Sequence, residues 1–301
     1  MLATRRIRDY AGRGWMMISK IIVILVPLIM LIVLIDKSLP LLQDNGFLNI
    51  LSGNEWKPGA GSFGFKPFII GSLYVSILAI LISAPVCILA AIYLSEYAHR
   101  KILSMMQPVI DILAGIPSVI YGVWGILFIV PFVRNVIAPA MGIESTGYSI
   151  LAGSLVLAVM TIPFILNILL ELFATVPREL RESAYSMGTT KWEMVKVTVL
   201  RKTGAGIISA VGLGWARAIG ETIAVMMVVG NTIVIPDSIV SPGYPLPALI
   251  ANNYGEMMSI PKYDSALMFA ALILLAITVI FNILMRMIIR RFTIKPGEHE
   301  A

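Results

Sequence analysis

The sequence has few of the residues on which metal and redox sites usually depend. Its 301 residues include one cysteine and two histidines. A single cysteine cannot form an internal disulfide, so it leaves the redox compartment undetermined. Cys87 lies inside an apolar run, and we expect it to be a small buried residue. His99 and His299 are far apart in the chain and form no metal-binding set with it.

Charge is also scarce. Only 13% of the residues are charged, whereas 58% are hydrophobic and the mean hydropathy is +0.90. A water-soluble domain of this size needs more charge and less apolar sequence. The composition therefore predicts a single domain whose solvent is the lipid bilayer. No strand pattern, low-complexity tract or strong repeat is evident.

The sequence lacks a Walker A motif. The nearest candidate, from Gly59 to Lys66, does not end in the Gly-Lys-Ser/Thr that binds phosphates and magnesium. We therefore expect no ATPase site in this chain. No small-residue cleavage site follows the first apolar run, so we interpret that run as a retained helix and not as a signal peptide.

A membrane-spanning helix needs about 20 mostly apolar residues. Six segments meet this criterion: 16–35, 68–94, 105–133, 149–175, 207–235 and 263–289. They predict an all-α polytopic membrane protein, with six transmembrane helices in a domain over 16–290 and tails over 1–15 and 291–301. Gly115 and Pro117 lie within the third segment, which we expect to be kinked or tilted.

Lysine and arginine are concentrated in the segments that we assign to the cytoplasm. Of the 23 basic residues, 17 fall in the N-terminal segment, the 95–104 and 176–206 loops and the C-terminal end, and 5 fall on the opposite side. The positive-inside rule therefore predicts that both termini are cytoplasmic. We expect the net charge of +6 to meet lipid head groups and cytoplasmic partners, and no nucleic acid.

Two external segments carry further signals. Residues 36–67 are rich in glycine and asparagine and contain Trp56, which predicts a loop with interfacial contacts. Residues 236–262 contain five prolines, and between them the stretch 248–258 is expected to form a short helix on the membrane surface.

The loop over 176–206 has the pattern of two short helices. Pro177 suits the first turn of a helix, and the residues from Arg178 to Met187 are mostly good helix formers. Gly188 interrupts the run, and a second short helix is expected over 191–200. From periodicity alone, this loop is either a solvated linker or an element to which a cytoplasmic partner docks.

The fifth apolar segment contains a charged pair. Arg217 and Glu221 are four residues apart and are therefore expected to share a helix face. They flank small residues that recur every four positions and would allow another helix to approach closely, namely Gly212, Ala216, Gly220 and Ala224. This pattern predicts that the pair faces the bundle interior or a water-filled path.

A charge at the centre of a bilayer costs about 2.5–3.5 kcal/mol on insertion scales, so the pair needs a reason to be there. One interpretation is a structural ion pair in which each charge neutralises the other. The other is a substrate path, in which the planar guanidinium of Arg217 attracts an oxyanion such as phosphate. Glu221 would then hold Arg217 in place or accept a hydrogen bond from a protonated phosphate.

Three other carboxylates receive separate interpretations. Asp111 either joins the path or, as we prefer, bonds to backbone groups freed by the kink of the third segment. Glu96 and Glu171 lie near cytoplasmic helix ends, and we expect both to reach water.

The 176–206 loop resembles the "EAA" loop of ABC-importer permeases. The resemblance rests on Glu182, Ser183, Ala184 and, six residues after the glutamate, Gly188. It departs from the family pattern downstream, where the usual Ile, any residue, Leu, Pro is replaced by the run from Thr198 to Arg201. The resemblance implies a type I ABC-importer permease fold and a loop that seats in a groove of an ATPase subunit.

The run from Gly212 to Asn231 is similar to the signature of phosphate-specific ABC permeases, of the PstC type more than the related PstA type. The resemblance implies that Arg217 and Glu221 contribute to phosphate passage. It also implies a prokaryotic plasma-membrane location and three kinds of partner: a PstA-like permease, an ATPase dimer that binds ATP and Mg, and an extracytoplasmic phosphate-binding protein.

Other functions are open at this point. The cargo can be another oxyanion, such as sulfate or molybdate. A channel or secondary transporter is a further alternative, although neither inverted repeats nor a pore loop are evident. A membrane enzyme would need a nucleophile–base set or a metal cluster within the spans, and the sequence presents neither.

Overall fold

A computed structural model describes residues 2–256, 260 and 262–292 of the chain. The first half consists of four long helical stretches and a small hairpin. Its helices and strands are α1 (Leu2–Asn45), α2 (Phe47–Ser52), β1 (Trp56–Lys57), β2 (Ser62–Phe63), α3 (Lys66–Ile92), α4 (Arg100–Gly115), α5 (Ser118–Trp124), α6 (Val130–Phe132) and α7 (Ala138–Ala140). Wider π-helical turns extend α3 and link α5 to α7, over Tyr93–Tyr97, Gly125–Ile129 and Val133–Ile137.

The second half contains the most buried helix and the loop over 176–206. Its helices are α8 (Ile150–Ala174), α9 (Arg178–Ser186), α10 (Lys191–Met194), α11 (Arg201–Ile219), α12 (Ile223–Met226), α13 (Leu246–Asn253) and α14 (Tyr263–Phe292). A π-helical segment, Val195–Leu200, joins α10 to α11 without a break. The predicted C-terminal tail lies outside the described residues from position 293 onward.

Within the described residues, the chain passes six times between two ends of a helical bundle. At one end, here called the loop end, a buried cluster joins the last turns of α3 and α8 to the segment after α10. At the opposite end, another cluster joins the end of α1 to the starts of α3 and α14. A third cluster packs α3, α5 and α8 around the segment after α11. The alternating passes agree with the six predicted spans.

Five helical stretches in the described part of the chain are long and apolar enough to cross a membrane. They are Gly12–Gln43, Lys66–Tyr97, Ser118–Ala140, Ile150–Ala174 and Tyr263–Arg291. The fourth of these is the most buried and forms the centre of the bundle. The predicted fifth span is absent from this set because its helix breaks, and the prediction of one helix over 207–235 is wrong.

The first helix is longer than predicted. α1 has 44 residues and, at 1.5 Å per residue, is about 66 Å long. The predicted tail over 1–15 is therefore helical from Leu2 onward and continuous with the first span. That length is about twice the hydrocarbon thickness, so α1 extends beyond the bilayer core.

The third span does not start where hydropathy placed it. Helix α4 ends at Gly115, and the backbone of Ile116 is extended, as expected for a residue before proline. A new helix begins at Ser118. The hydroxyl of Tyr121 donates a 2.8 Å hydrogen bond to the carbonyl of Leu113, which also accepts a 3.3 Å bond from the backbone N–H of Ile116. The kink expected from Gly115 and Pro117 is a complete break.

The opposite end carries an aromatic cluster that the sequence only partly indicated. Trp56 lies in a two-stranded hairpin, so the expectation of no strand pattern missed one short pair. Its indole packs edge-on against Phe63, Phe65 and Phe68, with ring centroids 5.0–5.3 Å apart. The predicted surface helix over 248–258 is observed as Leu246–Asn253, and residues 257–258 lie outside the described residues.

Small residues allow α11 to pack closely against α8. An added Cβ at Gly214 would lie 2.5 Å from Ile165 Cδ1, and one at Gly206 would lie 2.6 Å from Leu172 Cδ1. Ala210, midway between these glycines, is fully buried. The face of α11 that packs on α8 is thus formed by residues 206, 210 and 214, a four-residue repeat that sequence analysis overlooked.

We predict opposite effects for two glycine substitutions on α11. Gly214→Ala forces a methyl group into Ile165 and should destabilise the chain by about 1–3 kcal/mol. Gly204→Ala meets nothing within 4 Å and should stabilise the helix by about 0.5–1 kcal/mol. Thermal unfolding of the purified chain in detergent, followed by tryptophan fluorescence, checks both. Equal effects at the two positions would contradict the packing described here.

Candidate functional site

Arg217 lies in the last turn of α11, which ends at Ile219. Its guanidinium carbon is 5.0 Å from the centroid of the Phe164 ring on α8, which is within the range of a cation–π contact. The side chain is otherwise exposed in the single chain. A cation in the last turn of a helix also interacts favourably with the partial negative charge of that helix end.

Glu221 lies in the break between α11 and α12. Its Oε1 atom accepts a long 3.4 Å hydrogen bond from the backbone N–H of Ala224, so the carboxylate lies at the positive end of α12. Among the described residues, no ion pair joins Glu221 to Arg217. The expectation that the two share one helix face, one turn apart, is wrong because the helix ends between them.

The end of α11 has a local cause. Gly220 follows the last helical residue, and the Thr222 hydroxyl turns back to donate to the Gly220 carbonyl at 3.3 Å. That bond supplies an alternative to continued helix, as short polar side chains often do. Charges four residues apart share a helix face only if the helix continues between them. Here the helix ends at Ile219, between Arg217 and Glu221.

Two broken spans meet at this site. Helix α5 starts just after Pro117 and packs against α12, where an added Cβ at Gly122 would lie 3.3 Å from the Ala224 Cα. The site therefore combines a helix C-terminus, two helix N-termini, the exposed Arg217 and the half-buried Glu221, an arrangement that suits ion passage.

The predicted stripe of small residues is divided between two helices. Gly212 packs on α14, where an added Cβ would lie 2.6 Å from Met285 Cε. Ala224 is buried against α5, whereas an added Cβ at Gly220 would meet only backbone oxygens of α11, 3.7 and 3.9 Å away. Ala216 is half-buried on α11. The four residues thus do not form one continuous face.

The loop over 176–206 has the expected helix–glycine–helix form. α9 runs over Arg178–Ser186, and Gly188 then adopts a φ of 79°, a conformation that favours glycine. α10 starts with a capping box, in which Thr190 and Glu193 bond reciprocally. The backbone N–H and hydroxyl of Thr190 lower the pKa of the Glu193 carboxyl below its ordinary value.

The second helix of this loop differs from the prediction in how it ends. Instead of stopping near Leu200, it continues through the π-helical segment into α11. Arg201, where the family pattern has proline, is the first residue of α11. Proline cannot donate a backbone hydrogen bond within a helix, whereas arginine can, so the loop and the fifth span form one continuous rod.

The residues of the predicted "EAA" element lie on the surface of α9. Glu182 and Ser183 are exposed, and the Ser183 hydroxyl donates to the carbonyl of Glu179 at 2.7 Å. Ser183 and the half-buried Ala184 line a largely apolar groove between α9 and the segment after α10, together with Met187. A partner can therefore reach both the groove and the carboxylate.

Two carboxylates have partners that sequence analysis missed. Glu96 was expected to reach water, but only 6% of its side chain is exposed, and it forms an ion pair with Arg181. Asp111 does not bond to backbone at the break; its Oδ1 accepts a 2.9 Å hydrogen bond from Asn167 Nδ2. The Tyr121 hydroxyl takes the role that we assigned to Asp111. No local sequence signal identifies such partners, because 56 to 85 residues separate them.

The fold and the site define a class: a multi-pass, all-α permease with a discontinuous charged span and an exposed helical loop at one end. Residues 87–294 match the model of the binding-protein-dependent transport system inner membrane component family. Because that match covers more than half of its residues, the chain belongs to this family.

Curated relatives agree with this assignment. The phosphate transport system permease protein PstC of Xylella fastidiosa (strain 9a5c) is 37% identical over 257 residues, which is 81% of this chain and 79% of the relative. The probable ABC transporter permease protein YqgH of Bacillus subtilis (strain 168) is 35% identical over 286 residues, 94% of this chain and 91% of the relative. The chain is thus similar to these permeases over nearly its whole length.

Solved structures show the same fold. A bacterial ABC transporter involved in the import of the acidic polysaccharide alginate aligns with a TM-score of 0.61 at 17% identity, over 96% of this chain and 100% of that one. An inward-facing form of the MetNI methionine ABC transporter aligns with a TM-score of 0.54 at 20% identity, over 74% and 92%. The predicted ABC-importer permease fold is confirmed.

We predict that the Tyr121 hydroxyl supports the break beside the site. Tyr121→Phe keeps the ring but removes one of the two donors to the Leu113 carbonyl, which retains the backbone N–H of Ile116, so stability should fall by about 0.5–1.5 kcal/mol. Tyr148→Phe is the matched control, because the structure gives its hydroxyl no hydrogen bond within the described residues. Thermal unfolding in detergent compares the two, and similar losses for both would argue against the assigned bond.

Proposed function

We propose that this chain is a permease subunit of an ATP-driven phosphate importer and that it forms part of the translocation path. Its family and its PstC relatives support the transport role and the cargo. The observation that carries the site assignment is the break after Ile219, which places the exposed Arg217 and the half-buried Glu221 at helix ends. Ionisable side chains within membrane spans usually mark the path of a substrate or ion, which supports the assignment.

Arg217 is the proposed anion contact. Its guanidinium is always charged and presents parallel donors that match two phosphate oxygens. Phe164 holds one face of the guanidinium and leaves its donor edges free for a passing anion. The absence of an ion pair with Glu221 in the described structure keeps these donors available.

We assign two roles to Glu221: it selects phosphate over sulfate, and it pairs with Arg217 after the anion has left. At neutral pH, phosphate carries one or two negative charges and retains a proton that a carboxylate can accept in a hydrogen bond. Sulfate has no such proton, so the same carboxylate repels it. The two groups are unpaired in the part of the chain that the structure describes, so pairing of Glu221 with Arg217 after the anion has left would require one of the side chains to move across the break.

The partners follow from the family's transport class. We propose a second, PstA-like permease that completes the path, an ATPase dimer that binds ATP and Mg, and an extracytoplasmic phosphate-binding protein. The loop over 176–206 is the proposed ATPase contact, through Glu182, Ser183, Ala184 and the turn at Gly188. This assigns the loop end, and with it both termini, to the cytoplasm of a prokaryotic cell.

Transport by the reconstituted complex tests the role of Arg217. In vesicles that contain this chain, its partners and ATP, labelled phosphate should accumulate in preference to sulfate. Arg217→Ala should lower phosphate uptake at subsaturating concentration about 10- to 150-fold, the worth of a charge-assisted hydrogen bond. Arg217→Lys should recover only part of it, since lysine lacks the planar fork.

Two further variants sharpen this test. Glu221→Gln should lower the preference for phosphate over sulfate more than it lowers total uptake. Arg286→Ala is the matched control, because it removes an exposed arginine from the last two turns of α14 and should leave uptake unchanged. Wild-type uptake in both Arg217→Ala and Glu221→Gln would remove these residues from the path.

A further inference from the structure

The last turn of the second span holds the 176–206 loop through a buried ion pair. In the π-helical segment Tyr93–Tyr97, Glu96 Oε1 lies 2.7 Å from Arg181 Nη2, and Arg181 Nε lies 3.2 Å from both carboxylate oxygens. Only 6% of the Glu96 side chain and 19% of the Arg181 side chain are exposed. Such a shielded, two-pronged pair fixes geometry far better than a surface ion pair does.

The same arginine also binds the end of α8. Its Nη2 donates to the carbonyl of Phe173 at 3.0 Å, and its Nη1 donates to the carbonyl of Val176. These carbonyls lie at or just beyond the helix C-terminus, where backbone acceptors lack intrahelical donors. Arg181, which belongs to α9, therefore joins that helix to the ends of both α3 and α8.

A second contact joins the other half of the loop to the same segment. Lys191 Nζ, at the start of α10, lies 4.7 Å from the centroid of the Tyr97 ring, a cation–π contact. Adjacent residues, Glu96 and Tyr97, thus hold both helices of the loop. We call these two contacts, Glu96–Arg181 and Tyr97–Lys191, the clasp.

The clasp matters because packing alone attaches α9 weakly. None of the nine residues of α9 is buried. By contrast, α3 and α8 run parallel in close contact, and the Ser154 hydroxyl donates to the Val75 carbonyl at 3.2 Å. A displacement of α9 can therefore reach the bundle through Arg181 and move α3 and α8 together.

This route leads to the proposed anion site. Phe164, whose ring holds Arg217, lies nine residues before Phe173 on α8. At 1.5 Å per residue, the rigid helix carries a shift of Phe173 over about 14 Å to Phe164. Movement of the loop would thereby change the support of the guanidinium.

We propose that the clasp is the mechanical connection by which the ATPase-bound loop moves α3 and α8, and that Glu96, Tyr97, Arg181 and Lys191 are coupling residues. The inference rests on the proposed function, since it assumes that an ATPase binds this loop. We assign the clasp neither to ATPase binding nor to anion binding. Its role is to transmit movement between the two sites.

The test measures coupling separately from assembly. The complete complex is reconstituted in nanodiscs, and ATP hydrolysis is measured with and without the phosphate-loaded binding protein; uptake is measured in vesicles. Glu96→Gln and Arg181→Lys should assemble and retain basal hydrolysis. Stimulation by the binding protein should fall about fivefold or more, and phosphate moved per ATP should fall with it.

Matched variants separate the clasp from general damage to the loop. Arg178→Lys changes an exposed arginine on the same helix and should retain full stimulation. Tyr97→Phe keeps the ring and should behave as wild type, whereas Tyr97→Leu removes the cation–π contact and should reduce stimulation.

Two results would overturn the clasp: wild-type stimulation in Glu96→Gln and Arg181→Lys, or failure of both to assemble, which would make the pair purely structural. Failure of the proposed function looks different. A wild-type complex whose ATPase is stimulated but which moves no phosphate would refute the cargo, and the variants would still report on the clasp through hydrolysis.

Discussion

A polypeptide inside hydrocarbon must satisfy its own backbone polar groups, and this constraint governs the whole molecule. Unbroken helices without proline meet it without help, and α14 does so over 30 residues. Each interruption of a helix needs local compensation by side chains or turns. Among the residues that the structure describes, the helix breaks before Ser118 and after Ile219 both lie at the proposed path.

The residues that bond to backbone groups at the helix breaks also belong to the segments that form the proposed anion site. At the break before Ser118, the Tyr121 hydroxyl donates to the Leu113 carbonyl, and Tyr121 belongs to α5, the helix that packs against α12 at the site. At the fifth-span break, the Glu221 carboxylate accepts from a free N–H of α12 while remaining near the guanidinium. A bundle with unbroken spans would be simpler to stabilise, but it would present no helix ends to an anion.

Hydropathy predicted the fold well because the membrane constraint acts locally. Apolar runs of sufficient length, the proline break near Pro117 and the glycine turn at Gly188 are each decided within a few residues. The fifth-span break was not predictable in this way. Glycine is common within membrane helices, so Gly220 alone did not indicate that the helix would end there.

The partners of charged residues were the other failure of the sequence analysis. Glu96 and Arg181 are separated by 85 residues, and only the parallel packing of α3 and α8 brings their neighbourhoods together. In the sequence, Arg181 is one of several basic residues of the 176–206 loop. We therefore attributed its charge to the orientation of the protein in the membrane and not to a contact with another helix. Sequence-local rules describe elements, whereas pairing between elements needs the tertiary arrangement.

The continuous rod from α10 to α11 gives the loop a second connection to the site, distinct from the clasp. It carries Arg217 directly, since the guanidinium lies in the last turn of α11, whereas the clasp acts on Phe164 through α8. When the loop moves, α11 and α8 move by the same distance only if the rod and the clasp transmit the displacement equally. Ile165 and Leu172 on α8 fill the space beside Gly214 and Gly206, so sliding of α11 along α8 requires these side chains to move past the glycines. Relative sliding of these helices would separate the cation from its ring, and this gives a physical route from loop movement to release of a bound anion.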